Sequence, residues 1–416
     1  MNGLRHDDPE LFKLAEQEKK RIAGTLNLIA AENHPPASIL EVLGSVFNEK
    51  TIEGYPGRRF HAGCVYVDQV ESLAIDRAKQ LFGAEYANVQ PHSGTSANLA
   101  VYFSVLSRGD RVLAMSLPHG GHLSHGHTAS ISSQCFDFRH YTVSRDTERL
   151  DYDRIRDMAL AFRPKMMVAG ASAYPRLIDY KIMADIAKEV SAYLLADMAH
   201  LAGLVAGGAI PSPVPFCDAV TFTGYKTMMG GRGGVILARE DLGPKINRAV
   251  FPGTQGTSPV SMIAAKALAF KLAKTDGFRR IQQKTVETAG HLAQCLKAAG
   301  VCLVTGGTDN HQVLVDLNGT GMTGIRVQES LEAAGILCNR NVVPADTRVE
   351  KGAGGIRFGT AGLAARGMGK TQMTAIAGWI LRILAAPDDP EGVKEIRAEV
   401  RNLCQQFPVA AYGPPE

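Results

Sequence analysis

The stretch MMVAGASAYPRLIDYKIMADIAKEVSAYLLADMAH, residues 166–200, decides the fold. Its opening five residues, Met166–Gly170, form a continuous apolar run of strand length. A turn-rich connection then leads into a helical pattern from about Met183 to Ser191. A second apolar run, Tyr193–Asp197, follows and ends on an acid. Two short runs without polar alternation, joined through a helix, describe parallel strands buried on both faces. Such sheets collect ligands at the carboxyl ends of their strands, which is where Asp197 stands, with His200 three residues on.

The same alternation extends in both directions. Upstream it predicts a helix at Val67–Phe82, a strand near Ala87–Gln90, a helix at Thr95–Leu106, a strand at Arg111–Met115 and a helix at Tyr152–Phe162. Downstream, strands Ala219–Thr223 and Val235–Ala238 complete the series. A long helical stretch, Ile263–Gly300, then separates this from a different pattern. There, strands are expected at Val301–Thr305, Gln312–Leu317, Ile336–Asn339 and Gly355–Phe358. Helices are expected at Gly324–Ala334, Met373–Leu384 and Glu391–Gln406. The chain of 416 residues is too long for one small core. The expected organisation is an N-terminal arm (1–40), a large α/β domain (41–284) and a smaller α+β domain (285–416).

Composition narrows the function classes. Forty-five basic against 41 acidic residues leave a formal charge of +4, too small and scattered a surplus to point to nucleic acid or an anionic membrane. No run reaches the ~18 apolar residues of a membrane span. The N-terminal sequence has no apolar h-region, so no signal peptide is expected. Seven cysteines, odd in number and without a C-x-x-C, argue against a disulfide framework or a zinc site. The expectation is a cytoplasmic protein without a metal.

Three motifs carry chemistry. QPHSGTSAN (90–98) lies between a strand and a helix, and Ser93, Gly94 and Thr95 open that helix. Free backbone N–H groups and the helix dipole favour a phosphate there, although a plain N-cap explains the same residues. In LLADMAH (194–200), Asp197 at the end of a buried strand is either a satisfied core carboxylate or the partner of a protonated ring nitrogen. In TFTGYKTMMGGRGG (221–234), Lys226 follows a buried run and precedes a glycine-rich turn. A lone lysine is ordinarily a solvated surface group. One desolvated behind a strand loses basicity and suits a Schiff-base amine. Together the three supply anchors for the phosphate, the pyridinium nitrogen and the aldehyde of pyridoxal phosphate.

Over more than 300 residues the sequence resembles the serine hydroxymethyltransferase family. The carrying segments include LIAAEN (28–33), EGYPGRRF (53–60), FGAEYANVQPHSG (82–94), HGGHLSHG (119–126) and VAGASAYPR (168–176). They continue with ADMAHLAGL (196–204), FPGTQG (251–256), GGTDNHQVLVDL (306–317) and GIRFGT (355–360). The resemblance implies the fold-type I, aspartate-aminotransferase-like architecture, in a homodimer or larger assembly with the site at the subunit interface. It puts Lys226 on the cofactor lysine, Asp197 on the pyridine-nitrogen partner and His122 on the imidazole stacked over the ring. Ser93, Gly94 and Thr95 fall on the phosphate cradle, and Ser172 and His200 near the phenolic oxygen. Thr223 and Thr257 join the cofactor contacts. Arg357 falls on the grip for the substrate carboxylate. Glu53, from the neighbouring subunit, falls on the acid/base carboxylate. Asn341 falls on a pteridine-contacting position.

Several positions depart from the family pattern. Ala31 stands for a serine that touches substrate, and Thr51 for a tyrosine. Phe60 and His61 replace two tyrosines, Gly224-Tyr225 replaces Thr-His before the lysine, and GTSPVS (256–261) replaces GGPLMH. VPADTRVEKGAGG (343–355) lacks the Ser-Pro-Phe flap. With Lys226, Glu53, His122, Tyr225 and His61 as catalytic candidates and Ala31, Glu53, His61, Arg357 and Asn341 as substrate contacts, the expectation is cleavage or formation of the Cα–Cβ bond of a β-hydroxy amino acid. The departures favour an altered substrate or aldehyde acceptor, as in a variant hydroxymethyltransferase, an aldolase or a transaldolase, with tetrahydrofolate left open. The ordinary folate-dependent serine–glycine reaction is the alternative, and a paralogue without turnover the second one.

Overall fold

A computed structural model describes residues 2–346 and 352–411. The Met166–Gly170 and Tyr193–Asp197 strands form where the apolar runs predict them and pair in parallel, Gly170 opposite Asp197. Nearly every residue of the central strands is buried, because helices cover both faces of the sheet.

That sheet has seven strands, in the spatial order Tyr86–Asn88, Gly234–Ala238, Ala219–Thr223, Tyr193–Asp197, Met166–Gly170, Arg111–Met115 and Asp137–Tyr141. Only Gly234–Ala238 runs against its neighbours. Its first residue therefore shares an edge with the last residues of the parallel strands, so Asp197, Thr223 and Gly234 gather on one rim. Two apolar layers pack the sheet. One includes Met167, Ala196 and Phe222, and the other Val168, Leu195 and Ile236. Adjacent residues on a strand thus enter opposite layers, as a pleat requires.

A separate apolar cluster forms around the three-stranded sheet of Gln312–Asp316, Gly355–Gly359 and Asn339–Asn341. Leu26 and Leu28, from the N-terminal segment, are buried in this second cluster. Leu26–Asn27 pairs in parallel with Ile336–Leu337. The first forty residues are therefore not a free arm along their whole length.

Two expectations need correction. The helical stretch after residue 260 is two helices, Val260–Ala273 and Asp276–Ala298, because Thr275 turns the chain and caps the second one. The strand expected at Val301–Thr305 is absent. Leu303 makes one isolated bridge to Val315, and Thr305 takes a left-handed backbone (φ 62°) that no strand tolerates.

Candidate active site

Asp197 lies at the rim of the sheet, buried and fully engaged. Its Oδ2 accepts from the Asn98 amide at 2.8 Å and contacts His125 Nε2 at 3.0 Å, while Oδ1 accepts the Ala199 N–H at 3.0 Å. Burial alone would push its carboxyl up, but His125, His122 and Asn98 hold it well below the usual carboxylate range. A fixed negative charge therefore faces this rim. His122 stands edge-on to His125, ring centres 5.5 Å apart, and its Nδ1 meets Ser124 Oγ at 2.7 Å. Burial pushes His122 down to about 4, so its imidazole is neutral at physiological pH. Donor atoms of His122, His125 and Asp197 lie within 4.8 Å of one another. The hydrogen bonds already made to Asp197 suit an orienting role for His125 and Asn98.

Lys226 is 8% exposed, at the start of the glycine-rich turn after Ala219–Thr223. Burial pushes its ammonium down to about 8, with Asp197 opposing and Arg357 reinforcing the shift. Among the described residues it donates no hydrogen bond. Just before it, a Cβ on Gly224 would lie 2.5 Å from the Gly231 carbonyl oxygen, so the turn closes too tightly for a side chain there. Tyr225 is half-buried, with the Arg232 guanidinium 4.6 Å above its ring centre.

Ser93 caps the helix Gly94–Val105 reciprocally with Ser96. Ser93 and Thr95 are exposed. A Cβ on Gly94 would come within 2.9 Å of Thr223 Cγ2, which presses the helix start against the strand that leads to Lys226. Thr257 approaches the same loop: its carbonyl meets His92 Nε2 at 2.9 Å, and its hydroxyl accepts the Ile52 N–H at 2.8 Å. The loop 256–261, one of the departures from the family pattern, thus rests against its own chain's residues 90–92.

Arg357 extends from the central strand of the smaller sheet. Asn339, directly opposite in register, accepts from its Nε at 2.9 Å, and the Ser172 carbonyl accepts from Nη1. Burial pushes the guanidinium down to about 10. Gly359, two residues on, lies against Ala30: a Cβ there would sit 2.4 Å from Ala30 Cα. Ala31 is therefore carried along the strand that bears Arg357. His200 stacks on His311 at 5.6 Å, and both have an Nδ1 without a partner. Asn341 turns its amide back onto the Val342 carbonyl.

Glu53, His61, Phe60 and Thr51 are not brought to this cluster within one chain. Glu53 lines a cavity of about 850 Å³ with Tyr55, Phe60, Asn247 and Phe251. Thr51, Phe60 and His61 are exposed. Of the flap segment, Thr347–Lys351 lies outside the described residues. Sequence reading missed Asn98, Ser124, His125, His311 and Asn339. The third histidine of HGGHLSHG was the one available signal, for His125.

The residues present fit pyridoxal phosphate. A charged carboxylate, a desolvated lysine, a hydroxyl-rich helix start and a buried guanidinium converge on one rim, and His200 Nδ1 awaits a partner. A family model described as serine hydroxymethyltransferase matches residues 4–380. The chain is 50% identical over 409 residues to a serine hydroxymethyltransferase of Desulforapulum autotrophicum, covering 98% of both. It is 48% identical over 410 residues to one of Methanosarcina barkeri, covering 98% of this chain and 100% of the other. The chain accordingly belongs to the serine hydroxymethyltransferase family of fold-type I, pyridoxal-phosphate-dependent transferases.

Proposed function

We propose that this enzyme transfers the hydroxymethyl group of serine reversibly to a folate-type acceptor, leaving glycine. The observation that carries the reading is Lys226, buried with a lowered pKa on the same rim as ionised Asp197 and reachable by the small-sheet Arg357. The two relatives that cover the whole chain bear the name of this reaction.

When bound, the cofactor supplies an electron-poor ring that takes up the charge left at Cα as the Cα–Cβ bond breaks. Lys226 would hold its aldehyde end, and Ser93, Gly94 and Thr95 its phosphate. Asp197, fixed by Asn98 and His125, would keep a proton on the ring nitrogen. Neutral His122 suits a stacking face, since an uncharged imidazole does not compete with that proton. Ser172, Thr223 and His200 would line the remaining edge. Arg357 fixes the amino-acid carboxylate through paired N–H donors, which orients the bond to be broken. Glu53 takes or returns a proton at the β-hydroxyl. Thr51 and His61 are exposed on one chain and Glu53 lines a cavity apart from this rim, which supports reading them as serving the rim of a second copy in a homodimer or larger assembly.

The altered-substrate reading weakens on the fold. Gly224 answers a backbone contact with Gly231 rather than a substrate. Ala31 keeps it alive, because its methyl side chain offers no hydroxyl to a substrate. The test is to incubate holoenzyme with L-serine, L-threonine and α-methylserine, each with and without tetrahydrofolate, and to measure glycine or alanine together with the released aldehyde. Serine turnover that needs the folate supports the proposal. Faster folate-independent aldehyde release from another β-hydroxy amino acid replaces it with the aldolase reading.

A further inference from the structure

The helix Val260–Ala273 is largely buried, and Lys266 at its middle is 1% exposed. A lysine in that place is tolerable only with partners. Its ammonium donates to the carbonyls of Val89 at 2.5 Å, Gly234 at 3.0 Å and Pro91 at 3.5 Å. These carbonyls belong to two segments far apart in sequence, which continue into neighbouring strands of the large sheet. Val89 and Pro91 run directly into Ser93, the cap of the candidate phosphate helix. Gly234 opens the strand that leaves the Lys226 turn.

The fit around the cation is close on both sides. Gly233 has a left-handed backbone (φ 110°), and a Cβ there would come 2.7 Å from Lys266 Nζ. On the other side of the turn, a Cβ on Gly224 would lie 3.4 Å from Lys266 Cγ. Gly234 N–H also donates to the Pro91 carbonyl at 2.8 Å, so the two segments share a joint with Lys266 as its cation. Burial pushes the ammonium below its ordinary range, while Glu71 and the three carbonyls favour the charged form.

We propose that Lys266 is a positioning residue of the cofactor site: it locks the entry of the Ser93–Thr95 cradle to the exit of the Lys226 turn, setting phosphate anchor and aldehyde anchor at a fixed separation. The proposal rests on reading Ser93, Gly94 and Thr95 as the phosphate cradle. A lysine that merely satisfied carbonyls would stabilise the fold with and without cofactor alike. One that sets the separation acts on cofactor affinity.

The experiment uses full-length wild-type protein, Lys266→Met and Lys266→Gln, each stripped of cofactor and titrated with pyridoxal phosphate. Three readouts are taken: the dissociation constant from the visible absorbance of the lysine-bound cofactor, the ³¹P shift of its phosphate, and the melting temperature of the apoprotein. With the charged donor gone, Lys266→Met weakens binding about tenfold or more and moves the ³¹P resonance, since hydrogen bonds from a charged group are at stake. Lys266→Gln, which keeps an N–H₂ donor one bond shorter than the ammonium, regains part of the affinity. A dissociation constant within about twofold of wild type in Lys266→Met, or in Lys266→Gln should the former not fold, overturns the proposal. So does a loss of apoprotein stability that accounts for the whole effect without a ³¹P change. Wild-type protein that takes up no pyridoxal phosphate overturns the cradle reading as well.

Discussion

Lys226 and Lys266 are both nearly excluded from solvent, at 8% and 1% exposure, yet they solve the problem of a buried amine in opposite ways. Lys266 spends its donors on three backbone carbonyls. Among the described residues Lys226 donates to none, and its surroundings offer a carboxylate at Asp197 and a repelling guanidinium at Arg357. A satisfied buried lysine belongs to the frame. An unsatisfied one is held in readiness at a cost in stability, which is how reactive groups are ordinarily placed. The contrast also separates the two ends of one turn, since Lys226 lies inside the Gly224–Gly234 loop and Lys266 grips it from outside.

The largest expected effect is on the reactive side of that contrast. Lys226→Ala should lower kcat by about 10³-fold or more, as loss of a covalent anchor does in other enzymes, and remove the visible absorbance of the bound cofactor. Its apoprotein should melt no lower than wild type, because the deleted ammonium has no hydrogen bond to lose. A melting temperature several degrees lower would place Lys226 in the frame with Lys266 and break the contrast.

Arg357 sits between the two cases, buried like Lys266 and, on the proposed function, left to meet a ligand as Lys226 is. Its Nε and Nη1 are held by Asn339 and Ser172, which fixes the plane of the fork. Arg357→Lys keeps the charge but loses the paired geometry, so KM for the amino acid should rise about 10–100-fold, the worth of one or two charged hydrogen bonds, with a smaller change in kcat. Steady-state kinetics on serine decides it. An unchanged KM would remove Arg357 from carboxylate recognition.

What the sequence could disclose follows the same division. Asp197 and Lys226 were legible because each ends a short apolar run, and strand-end placement is a local property. His125 and Asn98 reach Asp197 from 72 and 99 residues away, so only the strand order brings them together. Lys266 was illegible for another reason. Its helix is apolar on every side, and a lone lysine in IAAKALAF reads as one exposed position. Thr305 defeated the strand expected at 301–305 through a left-handed backbone that an apolar pattern does not reveal. Gly224 was read as a change next to the substrate, but the carbonyl of Gly231 was the constraint.

The smallest expected effect is a matter of pH. Burial lowers Lys226 to about 8 from 10.5, Asp197 opposing. Only the unprotonated amine captures an aldehyde. The rate of pyridoxal phosphate uptake by the apoprotein should therefore climb with pH and level off near 8, where an ordinary lysine would still be gaining at pH 10. Stability runs the same way. Below pH 8 both folded and unfolded chains carry the proton, and the cost of burying it is fully present. Between pH 8 and 10.5 the folded chain has released a proton that the unfolded chain keeps, so this cost fades as pH rises. Lys226→Met should erase that part of the pH dependence of apoprotein unfolding and leave the three carbonyl bonds of Lys266 in place. Uptake that keeps accelerating to pH 10 would mean that Lys226 is solvated, and the distinction between a held amine and a reactive one would have to rest on hydrogen bonds alone.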